Sequence, residues 1–296
     1  MVFGAIFLLN LSTMKAILAF ILTTLGAVAA AQPRLTDCRL ELDMARIEGI
    51  RPVAKGESPQ GLAIADGVLF ALYHGGNCAA VDIATGRLLG EFPVDGAEGT
   101  HCNNASFGVE VTDGARFPLL YVSECYAPCR CFVEEVTTEG SRLAATIIYE
   151  GSGIDSFCDW CVDRENRHLY AYGRTPEKGV VLKRFALPAL AEADAEGVIH
   201  LGDSDVQAEF VYPAGYLGIA QGSHICDGCI WLPTGNPRVG QCHIHIISLN
   251  DGARKAVWDI SAFGLEPEGI CIYDGRLWQF FAGGKGRVYS FGLDCE

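Results

Sequence analysis

Short apolar runs separated by turns rich in Gly, Asp and Asn fill the chain from Cys38 to Leu293. Runs of this length suit buried strands and are too short for helices. Counted back six residues from an Asp-Gly turn, one pattern recurs at four places: Gln60-Gly61 before Asp66-Gly67, Phe107-Gly108 before Asp113-Gly114, Gln221-Gly222 before Asp227-Gly228, and Glu268-Gly269 before Asp274-Gly275. An apolar-aromatic pair follows each turn, Leu69-Phe70, Leu120-Tyr121, Ile230-Trp231 and Leu277-Trp278. Each copy therefore reads as a strand, a tight turn and a returning strand. A fifth, degenerate copy has its first strand at Cys158 to Val162 and its returning pair at Leu169-Tyr170.

The five copies begin at Gln60, Phe107, Cys158, Gln221 and Glu268, at spacings of 47, 51, 63 and 47 residues. Such periods fit a four-stranded blade with variable loops and predict an all-β propeller of five blades. A sixth blade hidden in the 63-residue gap is the alternative, and Leu187 to Ala208 within that gap could instead form a short helical insertion. The last copy supplies only three strands, so Cys38 to Ile47 is expected to return as its outer strand and close the ring, which would place Cys38 near Cys295. First strands such as Leu62-Ala63-Ile64-Ala65 are apolar on both faces, as a strand between two neighbouring sheets must be. Trp231 and Trp278 then read as packing between blades.

Residues 1–31 hold one charge, Lys15, followed by the apolar run Ala16 to Val28 and the small residues Ala29 to Ala31. That is the pattern of a secretory signal peptide, with Met14 an alternative start and 32–296 the mature single domain. No Cys follows the cleavage region, so a secreted or periplasmic protein without a lipid anchor is expected. The net charge of −14 for the whole chain disfavours nucleic acid and anionic membranes as partners. Thirteen cysteines in an exported chain read first as disulfides. Cys226 and Cys229 would face each other across a hairpin, while Cys125, Cys129 and Cys131 would tie one loop.

In a propeller the first strands line a central channel, with their starts at one mouth and the Asp-Gly turns at the other. Ligand-binding candidates are therefore the polar residues around the starts and at the ends of the returning strands: Gln60, His74, His101, Asn103, Asp155, Arg174, Gln221, His224 and Glu268. Glu268 is a carboxylate where Gln60 and Gln221 are amides. In a narrow channel desolvation would raise its pKa, so it is the candidate catalytic acid or base. His101, His224 and Glu268 could hold a divalent cation, but plain hydrogen bonding accounts for them as well, and no metal site is assigned. Cys158-Asp-Trp-Cys161 and Cys226-Asp-Gly-Cys229 lie at different heights along their strands, about six residues or ~20 Å apart, too far to share one zinc ion. No nucleophile elbow, phosphate loop or zinc-helix motif is present, so the cofactor is left unknown.

Pro59-Gln-Gly-Leu62 and the segment Val81-Asp-Ile-Ala-Thr-Gly-Arg-Leu-Leu89 resemble secreted bacterial propellers of the quinoprotein or lactonase type. The Gln-Gly-Leu opening also resembles the five-bladed plant-type glutamine cyclotransferases, and Glu266-Pro-Glu-Gly-Ile270 is similar to blade openings of the same broad superfamily. That resemblance implies cyclisation of an N-terminal glutamine by an acid in the channel, for which Glu268 is the matching residue. Two functions stay open on the sequence. One is binding of a small molecule, peptide or protein at the channel mouth without chemistry; the other is a cyclotransferase or hydrolase that uses Glu268.

Overall fold

Five sheets follow one another around an axis in the computed structural model, which describes residues 34–51, 56–282 and 286–294. The expected leader and Cys295 lie outside these residues. The first blade is Pro59–Ala65, Val68–Tyr73, Asn77–Asp82 and Arg87–Pro93, paired in that order. The second is Cys102–Phe107, Leu120–Glu124, Cys131–Val136 and Ser141–Tyr149; the third is Cys158–Asp163, His168–Arg174, Val180–Ala186 and Ala208–Tyr212. His224–Cys226, Cys229–Thr234, His243–Ser248 and Arg254–Asp259 make the fourth. The fifth joins Pro267–Tyr273, Arg276–Phe281 and Arg287–Asp294 to the N-terminal strand Arg34–Asp43.

The ring thus has five blades and is closed by the start of the described chain, as the three-strand deficit of the last repeat requires. The closing strand begins four residues earlier than expected and ends at Asp43. It runs antiparallel to Arg287–Asp294 from Arg34–Asp294 to Asp43–Arg287. Arg276 locks it by donating to the Asp37 carboxylate at 3.0 Å and to the Asp37 carbonyl at 2.7 Å. Cys38 falls in a bulge between the Thr36–Gly292 and Arg39–Ser290 pairs.

The long gap holds no sixth blade, and the short helical insertion expected over Leu187 to Ala208 is reduced to two single 3-10 turns, Leu190–Glu192 and Asp203–Asp205. Val198–Leu201 leaves the third blade and pairs in parallel with Ser141–Tyr149, giving the second blade a fifth strand.

Five apolar clusters fill the spaces between neighbouring blades. Alternation along one strand explains how. Leu62 and Ile64 pack toward the fifth blade with Trp278 and Phe280, whereas Ala63 packs toward the second blade with Phe107 and Leu120. Trp231 and Trp278, 8% and 5% exposed, are packing residues. All cysteines of the described residues carry free thiols, so the expected bridges are absent there. The reason is their placement: Cys78, Cys102, Cys131, Cys158, Cys161 and Cys271 are buried small side chains distributed among the inter-blade clusters. Cys226 and Cys229 do stand opposite each other in the ladder, without a bond between them.

Candidate functional site

At three of the five hairpins the turn is a positive-φ Asp-Gly pair: Asp66-Gly67 at 47° and 72°, Asp227-Gly228 at 51° and 65°, Asp274-Gly275 at 48° and 69°. These are the dihedral signs of the type I′ turn that matches strand twist. The second blade departs from the pattern, because 108–119 is a long loop between Phe107 and Leu120 rather than a tight turn. Counting back from Asp113-Gly114 therefore misplaces that repeat's start.

Ladder register gives the true equivalence. Pro59 pairs with Tyr73, Cys102 with Glu124 and Pro267 with Phe281, and in each case one residue is bulged before pairing resumes at Leu62, Ala105 and Ile270. Gln60, Asn103 and Glu268 thus occupy one position on three blades. Asp159 on the third and Gln221 on the fourth stand at the same level, since Asn103 Nδ2 donates to Asp159 Oδ2 at 2.6 Å and to the Gln221 carbonyl at 3.1 Å. Each blade therefore contributes one polar residue to a collar at the channel mouth. All five are buried, from 0% exposed for Asp159 to 6% for Gln60 and Gln221.

Close packing of the inner strands creates the collar. A Cβ on Gly269 would lie 2.2 Å from the Leu62 backbone nitrogen, and one on Gly222 would lie 2.9 Å from the Gly269 Cα. The Gly after the polar residue is thus a close-approach glycine. Where the second blade has Asn104 instead, its amide donates to the Trp160 carbonyl and Ser223 Oγ, both at 2.9 Å, and accepts from the Ser223 N–H at 3.0 Å.

Above the collar opens a cavity of ≈ 1140 Å³. Of the expected residues, Gln60, His74, His101, Asn103, Asp155, Arg174, Gln221 and Glu268 line it. His224 does not: it starts the inner strand of the fourth blade, paired with Trp231, and burial pushes its imidazole down to about 4. The trio His101, His224 and Glu268 is therefore not gathered. Among the described residues one group brings three metal-type ligand atoms within 4.8 Å of one another: Glu165, Cys226 and Asp227, at the turn end of the channel. His243 and His245 belong to a third strand; His245 is 5% exposed and hydrogen bonded to Thr234 Oγ1 at 3.1 Å, a structural role.

The cavity also draws on residues that sequence reasoning passed over, Tyr126, Phe157 and Lys178. They sit on loops without repeat signal, although the edge-to-face stack His74–His101–Tyr126, with ring centres 5.5 and 4.9 Å apart, shows how a loop tyrosine joins two predicted histidines. Exposed Tyr126 and Ile219, at 56% and 48%, give the rim an apolar character above a polar floor.

Electrostatically the floor is acidic and the rim basic, with Arg174 and Lys178 exposed. Glu268 is 2% exposed, its Oε2 has no hydrogen-bond partner, and burial, with Glu266 and Asp159 nearby, holds its pKa well above the usual carboxylate range. Burial likewise pushes Asp159 up to about 8, against the opposing hydrogen bond from Asn103. Asp159 Oδ1 is also buried without a partner. His101 is pulled down by burial and by the neighbouring His74. Two carboxylic acids whose pKa values burial raises share one collar, one of them lining the cavity, an arrangement able to hold and hand over protons.

Comparison with solved structures places this architecture in known company. The chain is similar to the glutaminyl cyclase of Myxococcus xanthus, with a TM-score of 0.53 and 13% identity over 88% of this chain and 96% of that one. It is also similar to the tail fibre of Staphylococcus aureus phage P68, with a TM-score of 0.54 and 13% identity, covering 87% of this chain and about half, 53%, of the fibre chain. At such identity the shared property is the propeller fold. No family model matches the chain, and no curated protein matches it.

Proposed function

We propose that the protein takes a small polar ligand, or the end of a peptide, into the channel-mouth cavity and that Glu268 exchanges a proton with it. One observation carries this reading: the Glu268 carboxyl lies in the cavity floor, buried and without a hydrogen-bond donor from the protein. Leaving a buried carboxyl unpaired costs roughly 1–3 kcal/mol, and such a cost is borne most often where the group serves chemistry. A neutral acid there would protonate a leaving nitrogen or oxygen and, once ionised, take a proton from an attacking group. Cyclisation of an N-terminal glutamine, with ammonia leaving, is one reaction of that form, and hydrolysis of an amide or ester is another. Export through the leader 1–31 and an acidic surface belong to the same proposal of a secreted protein acting on small molecules or peptides.

Glu268→Gln keeps the shape of the side chain and removes its proton chemistry. Assayed on glutaminyl dipeptides and on a panel of amides and esters, the substitution is expected to lower turnover by roughly 10²–10⁴-fold with a melting temperature no lower than that of wild type. Ligand binding with no turnover by the wild type would leave a binding protein and remove Glu268 as an acid–base group.

A further inference from the structure

Both hydrogens of the Asn103 amide are committed inside the protein, to Asp159 Oδ2 and to the Gln221 carbonyl. A backbone carbonyl only accepts, so this assignment fixes Nδ2 inward and leaves Oδ1 for the cavity. Gln221 repeats the device: its Nε2 donates to the Gly235 carbonyl at 3.1 Å and to Glu266 Oε1 at 3.0 Å, which leaves Oε1 free. Glu266 Oε1 is itself held by Asn236 Nδ2 at 2.6 Å. Gln60 Oε1 and Glu268 Oε2 are buried with no partner at all. The floor of the cavity therefore offers oxygens from four blades, and the exposed basic groups stay at the rim.

The acceptors fixed toward the cavity by Asn103 and Gln221 call for a ligand that donates, and the unpartnered Tyr172 hydroxyl in the same lining can turn to accept as well. A hydroxyl brings a lone-pair oxygen for every hydrogen, and a carboxylate or phosphate brings only acceptors. A bare metal ion needs its oxygens within bonding distance of one point, ~2.0–2.6 Å. The carboxylates of Asp159, Glu266 and Glu268 do not gather within 4.8 Å of one another, so a metal ion here would rest on fewer than three carboxylates and on neutral amide oxygens, unlike the group at the turn end. An organic cation with several N–H groups meets both demands, because its hydrogens span wider gaps and its charge favours ionisation of the Glu268 carboxyl, which releases its proton to solvent and then accepts from the ligand.

We propose that the collar binds a compact organic cation rich in N–H donors, a primary ammonium or guanidinium group, with Asp159 and Glu266 as positioning residues that hold the Asn103 and Gln221 amides oxygen-inward. This rests on the reading of the mouth as the ligand site and names the chemistry of its ligand. Asp159 does not line the cavity. It acts through Asn103, and an amide at position 159 would offer a hydrogen to Asn103 Oδ1 and let that amide turn over.

Calorimetric titration of the mature protein at neutral pH with butylammonium, butylguanidinium, butyltrimethylammonium and 1-butanol tests the inference. Butylammonium or butylguanidinium binds, and whichever is tighter identifies the head group. The quaternary cation binds at least roughly tenfold more weakly and the alcohol not measurably. Asp159→Asn and Glu266→Gln each weaken the preferred cation by about tenfold while both variants stay folded, Asp159→Asn with a melting temperature above that of wild type at neutral pH. Equal binding of the quaternary cation overturns the inference, as does undiminished affinity in both folded variants, or a calcium or magnesium ion that no amine displaces. Should a variant fail to fold, the wild-type ligand series still decides. Binding is read without turnover, so its failure is distinct from unchanged turnover in Glu268→Gln, which would strike the proton-transfer reading alone.

Discussion

The two ends of the inner strands are built from the same residue types and do opposite things. At the turn end, Gly67, Gly228 and Gly275 have open space where a Cβ would be, and positive φ is what requires glycine there. At the mouth, Gly222 and Gly269 have ordinary φ and no space, because neighbouring backbones press against them. The turn-end acids Asp66, Asp227 and Asp274 are exposed, and Asp66 pairs with Arg116 at 2.6 Å. Mouth acids are buried and only partly satisfied. Crowding the strands at one end squeezes water from the collar, and desolvation of polar groups that lack partners is what gives that end its chemistry.

Substitution at a glycine separates the two roles. Gly269→Ala drives a methyl into the first blade's backbone and is expected to cost roughly 3 kcal/mol or more, read as a denaturation midpoint shift. An unshifted midpoint would mean that the strands are not packed as described.

The buried acids give the next handle. In the folded chain Asp159 keeps its proton up to about 8, whereas its ordinary value is 3.8. Between those limits the unfolded chain has released a proton that the folded chain still holds, so this group's contribution to stability falls as pH rises from about 4 to 8 and is level above. Glu134, raised to about 7 by burial, adds a similar slope of its own. Asp159→Asn is therefore expected to gain stability relative to wild type across that window, measured by urea unfolding at a series of pH values. A constant difference would place an ionised carboxylate in the collar.

At the turn end the effect is smallest. Gly228→Ala meets nothing within 4 Å but must hold φ near 65°, so a loss of about 1 kcal/mol is expected with ligand binding untouched. A loss as large as that of Gly269→Ala would erase the distinction between the ends.

The same contrast explains what could be read from the chain. Asp-Gly turns with flanking apolar pairs are local signals, and they revealed the hairpins of the first, fourth and fifth blades and the count of five. The second blade was misregistered by four residues because the loop 108–119 replaces its tight turn; its collar residue is Asn103, not Phe107. Collar membership of Gln60, Gln221 and Glu268 follows from the turn count because their hairpins are tight, whereas the equivalence of Asn103 and Asp159 to them needs ladder register and contacts that the loop 108–119 and the longer third turn hide from periodicity. Val198–Leu201 joins a different blade in parallel, a long-range pairing with no turn to announce it. His224 was displaced for a simple reason. Three residues beyond Gln221 along a strand, it has passed below the mouth.

The chemistry proposed for the mouth requires Glu268 to hold its proton at neutral pH when no ligand is bound. Infrared difference spectroscopy of the ligand-free protein at neutral pH, wild type against Glu268→Gln, measures this directly. The account predicts a protonated-carboxyl band that vanishes on substitution; a difference spectrum carrying only carboxylate bands would contradict it.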